Sequence, residues 1–327
     1  MIKNYNLYKL NEGITLSSKE IVDILRNLEA SNNKNEELIN RLISYTDNKG
    51  VNMLMHITMT KDQDLIDYIL KFNIDKSHIN KNGENILFYC RDTKTFNKFY
   101  ELGADVKIVN NDDKNILNYL ASRKIFDIDL YQKLINDGVS INDVDVNGNN
   151  VLSYSILNQK IVNLLIKNNV NLNDSTIQHS YLFSLFNKLG WYKKEPYMKI
   201  FKILFENGMK VQKTNIGFFN DKLMDCERYG KDGNENFILE FIISLKDYIS
   251  EEVVLKLAKE KLMNVSHDIE KEFNFLKELL SIKIYPEIAK YFTMYYKSSS
   301  SREKMNKLLR DYMEEHPYIN DADKYNL

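Results

Sequence analysis

Cysteine is scarce in this chain. There are two among 327 residues, Cys90 and Cys226. Two thiols cannot staple a small secreted scaffold, so a reduced, intracellular setting is expected. No apolar run approaches the ~20 residues needed to cross a bilayer. The opening MIKNYNLYKLNEG lacks the apolar stretch of a secretory signal. Together these absences predict an intracellular, cytoplasmic protein that does not engage a membrane. Net charge is also missing: the formal value is −1 and the pI about 6.6. No global field therefore draws the chain to nucleic acid, although Lys193-Lys194 beside Trp191-Tyr192 is a local basic patch.

The chemistry-bearing motifs are equally thin. His56, His78, His179, His267 and His316 are scattered, and none has metal-ligand spacing with another His or Cys. Gly-rich phosphate loops of the dinucleotide and Walker types are absent. Asp143, Asp145, Asn147 and Gly148 open like a calcium loop, but position 154, where the bidentate Glu belongs, is Tyr. The expectation is a non-catalytic protein with no cofactor and no metal.

What the chain does have is repetition. A phrase with apolar residues near both ends and a closing Gly or Asn occurs at Leu65–Asn73, Thr95–Gly103, Leu130–Gly138, Ile161–Asn169 and Ile200–Gly208. A second phrase is Gly or Asp, then Asn two residues later, then two apolar residues. It begins at Gly50, Gly83, Asp113 and Gly148. From the end of the first phrase to the start of the second is ten residues each time: Asn73 to Gly83, Gly103 to Asp113, Gly138 to Gly148. The complementary distance drifts through 23, 20, 25 and 21 residues.

Each unit reads as a helix pair. Asn52, Asn85, Asn115 and Asn150 sit where a first helix starts, and an Asn carbonyl there accepts from a free backbone N–H. Ile86, Leu87 and Cys90 then share one apolar face, and Phe96, Phe99 and Tyr100 face inward from a second helix closed by Gly103. One pair buries too little apolar surface to offset its ordering entropy, whereas stacked pairs share a continuous core. The fixed decamer sets the registration between neighbours, and the helices absorb the variation in length.

The pattern resembles ankyrin repeats over roughly residues 47–213. Leu-Gly-Ala-Asp-Val at 102–106, Asp-Gly-Val-Ser-Ile-Asn at 137–142 and Asn-Asn-Val-Asn-Leu-Asn at 168–173 match the phrase that ends the family's second helix. In the opening phrase, Gly-x-Thr-Pro-Leu-His, Asn replaces Thr and the Leu is kept at 54, 87, 117 and 152. The Pro becomes Met53, Ile86, Ile116 and Val151, and the His becomes Met55, Phe88, Asn118 and Ser153. The resemblance implies an all-α, ankyrin-type helical solenoid with short β-hairpin or finger loops and a helical C-terminal region. It also implies a protein partner of unknown identity, met by finger tips and by the concave face of the first helices. Those are Lys81, Asn82, Asn111, Asp112, Val146 and Asn147 at the tips, and Phe88, Arg91, Asn118, Ser122 and Ser153 on the helices.

Outside the repeats, residues 1–46 read as a helical cap. Ser17–Glu20 forms a capping box ahead of Ile21, Val22, Ile24, Leu25 and Leu28, and Leu38, Ile39, Leu42 and Ile43 form a second apolar stripe. About five repeats are expected over 47–213, the last with an insertion near 188–196. His179, ten residues past Asn169, marks the start of its first helix. Residues 214–297 read as degenerate repeats or a helical domain, and 298–327 as a final helix and tail after the Ser298–Ser301 joint. A monomeric protein-binding scaffold is the leading expectation. One alternative is a viral or bacterial host-directed adaptor working in the host cytoplasm, with Ile284–Ile288 faintly similar to an F-box start. Another is an enzyme whose catalytic helical domain lies C-terminal to the repeats.

Overall fold

The asparagines predicted to start helices do so. In the computed structural model, Asn52, Asn85, Asn115 and Asn150 have extended backbones, and each side-chain oxygen accepts an N–H two or three residues on. The structure describes residues 17–30, 36–189 and 195–215, plus helical positions 217, 218, 274, 277, 303, 307, 310, 311, 314 and 315. The described residues contain no β-strand; their pairing of that kind is an isolated bridge between Thr46 and Asn52. Their regular elements are helices, and none of these is long and apolar enough to cross a membrane. Two compact units form, Met1–Val170 and Asn171–Leu327.

In the first unit, α1 (Ser18–Ala30) begins with the predicted capping box. Glu20 N–H donates to Ser17 Oγ, and Ser17 N–H donates to the Glu20 carboxylate at 2.9 Å. Helix α2 (Glu36–Ile43) follows. Four pairs come next. They are α3 (Met53–Thr58) with α4 (Gln63–Ile69), a 3₁₀ turn (Ile86–Tyr89) with α5 (Thr93–Glu101), α6 (Ile116–Ser122) with α7 (Ile128–Asn136), and α8 (Val151–Ser155) with α9 (Gln159–Lys167). The first members pack in series, α3 on the 3₁₀ turn, that turn on α6, and α6 on α8, while α1 and α2 pack on α3. Leu54, Leu87, Leu117 and Leu152 lie at the centre with no exposed surface. The second helices have Asx caps of their own: Asp62, Asp92, Asp127 and Asn158.

Helix length follows the drift in spacing. The 20-residue unit has room for only one 3₁₀ turn before Asp92 caps α5. The 25-residue unit carries the longer α6 and a connection before Asp127. Gly103, Gly138 and Asn169 adopt left-handed φ, and the next N–H reaches back to Phe99, Leu134 and Leu165 carbonyls, a Schellman closure. Asn73 departs from this pattern. Its helix already ends at the Leu70 cap, and Asn73 is not left-handed.

The second unit opens with α10 (Ser175–Leu189), α11 (Glu195–Glu206) and a 3₁₀ turn at Lys213–Asn215. Here the decamer fails. Asp174 accepts from Thr176 and Ile177 N–H, so the helix starts four residues before His179, which lies inside it. The centre of the insertion, with Trp191, lies outside the described residues. So do the Ile284–Ile288 segment, the Ser298–Ser301 joint and nearly all of 216–327.

Candidate functional site

Four turns of one kind, the first at 47–50 and the other three each ending a decamer, are the most regular feature of the first unit. Each is founded on an Asx residue three positions before the Gly or Asp anchor: Asp47, Asn80, Asn110 and Asp145. Its Oδ1 accepts two backbone N–H groups, two and four residues on. The acceptor distances are 2.9 and 2.9 Å at Asp47, 2.8 and 3.0 Å at Asn80, 3.1 and 2.9 Å at Asn110, and 2.9 and 3.0 Å at Asp145. The anchor is left-handed every time, at φ 74° for Gly50, 74° for Gly83, 57° for Asp113 and 72° for Gly148. Space as well as φ favours glycine at position 83, because an added Cβ would come within 2.9 Å of Asn111 Oδ1 on the next turn.

Successive turns are tied by main chain. The N–H one residue past each Asx donates to the carbonyl two residues past the previous Asx. The three bonds are Lys81 to Lys49 at 3.0 Å, Asn111 to Asn82 at 2.8 Å and Val146 to Asp112 at 3.0 Å. A second tie uses the cap asparagines, whose amide nitrogens reach the connection that follows. Asn52 donates to the Asp75 carbonyl at 3.3 Å, Asn85 to Asp105 at 2.7 Å and Asn115 to Ser140 at 2.8 Å. Each of these Asn side chains starts a helix with its oxygen and fixes a loop with its nitrogen.

A ring lies nine residues after each Asx, at His56, Tyr89, Tyr119 and Tyr154, and three of the four reach back to it. His56 Nε2 lies 3.4 Å from Asp47 Oδ2. Asn80 Nδ2 donates to Tyr89 Oη at 2.7 Å, and Tyr154 Oη donates to Asp145 Oδ2. Tyr119 instead packs its ring against Phe88, with centroids 5.0 Å apart. Burial lowers the His56 pKa, with Asp47 opposing. Burial likewise raises the Tyr89 and Tyr154 phenols, reinforced by Glu84 and Asp145 respectively. Asp145, the residue that suggested a calcium loop, is buried and engaged by two N–H groups, Tyr154 and Lys114 (3.8 Å).

The tip residues predicted to meet a partner, Lys81, Asn82, Asn111, Asp112, Val146 and Asn147, are all exposed. Two of them are also used internally. Lys81 Nζ donates to the Asn48 carbonyl at 2.9 Å, and Asn111 Nδ2 to the Lys81 carbonyl at 3.0 Å. Arg91, just past the 3₁₀ turn, is exposed, but Phe88, Asn118 and Ser153 on the first helices are buried. Phe88 is held by the Tyr119 ring, Asn118 donates to the Asp143 carbonyl at 3.0 Å, and Ser153 turns back to its own cap, Asn150, at 3.1 Å. Phe88 and Asn118 thus face the chain that follows, whereas Ser153 is engaged by its own cap.

Sequence reasoning missed an aliphatic residue directly before each of the last three Asx positions. Ile79, Val109 and Val144 are 52%, 48% and 38% exposed, and Val146 beside them is 61% exposed. The signal was present as apolar–Asx pairs at 79–80, 109–110 and 144–145. Among the described residues, no cluster of three His, Cys, Asp or Glu could hold a metal ion. Cys90 is buried, and that burial pushes its thiol pKa up. The chain matches no protein-family model and no curated protein.

Proposed function

We propose that this chain is a non-catalytic, ankyrin-type repeat scaffold that binds a protein partner along its row of turns. The observation that carries the reading is the in-register aliphatic row Ile79, Val109, Val144, with Val146 beside it, exposed on turns whose backbones are already fixed. Exposed aliphatic side chains at one repeated position expose apolar surface to water, which docking removes. Prior ordering of the turns means that little conformational entropy is lost on association. The exposed tip residues Asn82, Asp112 and Asn147 supply the polar rim that such contacts use.

Proximity labelling in the native cell tests this, comparing the intact chain with the triple variant Ile79→Asp, Val109→Asp, Val144→Asp. The three side chains are exposed, so the variant keeps its helical signal and melting temperature. The reading expects it to lose the principal labelled proteins. A variant that labels the same set as the intact chain refutes the reading.

A further inference from the structure

We infer that Arg91, Arg123 and Tyr119 form an anion-recognition patch for an acidic segment of the partner, an inference that rests on the protein-binding reading above. All three lie at the C-terminal ends of first helices that pack side by side. Arg91 follows the Cys90 cap of the 3₁₀ turn, Arg123 is itself the C-cap of α6, and Tyr119 is one turn earlier on α6. A helix C-terminus favours a cation, so neither guanidinium needs a carboxylate to be held there.

Neither has one among the described ion pairs. The Arg123 guanidinium lies over the Tyr119 ring, 5.5 Å from its centroid, and Arg91 donates to the soft Met59 sulfur at 3.6 Å. Both are exposed. The Tyr119 ring packs on Phe88, three residues before Arg91, with centroids 5.0 Å apart, which sets the Arg91 turn against the end of α6. Burial raises the Tyr119 phenol and Glu84 adds to the rise, while Arg123 and Arg91 oppose it. The nearby acids are already occupied. Glu84 accepts from Asn80 at 2.9 Å and Tyr89 at 3.1 Å, and Asp92 Oδ1 caps α5 through Thr95 N–H at 2.8 Å. Exposed Lys124 adds a further positive charge.

Two forked guanidiniums beside a phenol suit carboxylates, which accept two N–H bonds from one fork. The exposed Leu157, one residue past the cap of α8, supplies an aliphatic contact at the equivalent edge of the next helix. The geometry therefore favours a peptide that alternates acidic and aliphatic side chains. A polyanion such as RNA is disfavoured, because the basic patch is small and the whole chain carries a formal charge of −1.

The test is fluorescence anisotropy of the full chain with a labelled peptide of alternating Glu and Leu. A Lys–Leu peptide and an oligouridylate serve as competing probes. The Arg91→Gln, Arg123→Gln double variant is expected to bind the Glu–Leu peptide about tenfold more weakly or worse, with a shallower salt dependence, since two charge-assisted contacts are removed. Arg91→Glu, a change at an exposed position outside any helix, gives the same direction if the double variant melts early. Equal binding by wild type and double variant overturns the inference, as does oligouridylate binding more tightly than the acidic peptide. Loss of cellular labelling by the triple variant alongside unchanged peptide binding by the double variant sinks this patch and leaves the scaffold reading standing.

Discussion

Residues 47–150 and 171–215 solve the same problem with different chemistry. Both must hold the start of a helix against the connection that leaves a second helix. In 47–150 the main chain does most of it, through turns bonded N–H to carbonyl and backed by one Asx per turn. In 171–215 two side chains take over. Asn173 donates to the Gly208 carbonyl at 3.0 Å and accepts Lys210 N–H at 2.8 Å. Gln178, wholly buried, donates to the Lys210 carbonyl at 2.9 Å and accepts from Gln212 N–H at 2.8 Å and Asn215 at 3.2 Å. A main-chain ladder spreads the burden over many residues and tolerates sequence change. A single buried amide concentrates it.

Core truncation should not distinguish the regions. Leu117→Ala and Leu182→Ala remove fully buried side chains and should each destabilise by about 3–4 kcal/mol in urea melts. A cost near zero at either would place that residue outside the core. Removing the polar anchors should separate the regions. Gln178→Ala orphans several buried partners and should cost about 3 kcal/mol. Asn110→Ala leaves the turn-to-turn bond intact and should cost only about 1–2 kcal/mol. Equal costs would erase the contrast.

That contrast also explains what could be read from the sequence. Asn52, Asn85, Asn115 and Asn150 were legible because one residue type at one spacing has one cheap explanation, a helix cap. The Ser17–Glu20 capping box and the buried Cys90 were legible on similar local grounds. Gln178 was not, because a lone amide inside a helix gives no periodic signal. The expected helix start at His179 failed because Asp174, a stronger cap, lay upstream. On the first helices, Phe88, Asn118 and Ser153 were expected to face a partner. Arg91, expected alongside them, is exposed, and the exposed positions not foreseen are Arg123, the C-cap of α6, and Leu157, one residue past the cap of α8.

Smaller effects sharpen the account within the row of turns. His56 is the one imidazole among the four rings. Its pKa is lowered in the folded state, so the unfolded chain binds the proton first. Stability should therefore fall as pH drops below the ordinary imidazole value of about 6.5, and level off below the folded value. His56→Tyr, copying the other three turns, should flatten urea midpoints across that window, and an unchanged slope would contradict this placement. Least of all, Asp113→Gly relieves a left-handed φ of 57° and should stabilise by about 0.5 kcal/mol. A loss of stability there would mean that the Asp side chain contributes something the turn geometry does not reveal.

The ladder between turns is best tested by amide hydrogen exchange, read residue by residue by NMR on the full chain. Lys81, Asn111 and Val146 are exposed, yet their N–H groups are bonded to the preceding turn. They should exchange far more slowly than Asn48, which occupies the same position in the first turn and has no turn before it. Exchange of all four at the same fast rate would contradict the ladder, and with it the preordered surface on which the proposed partner binding depends.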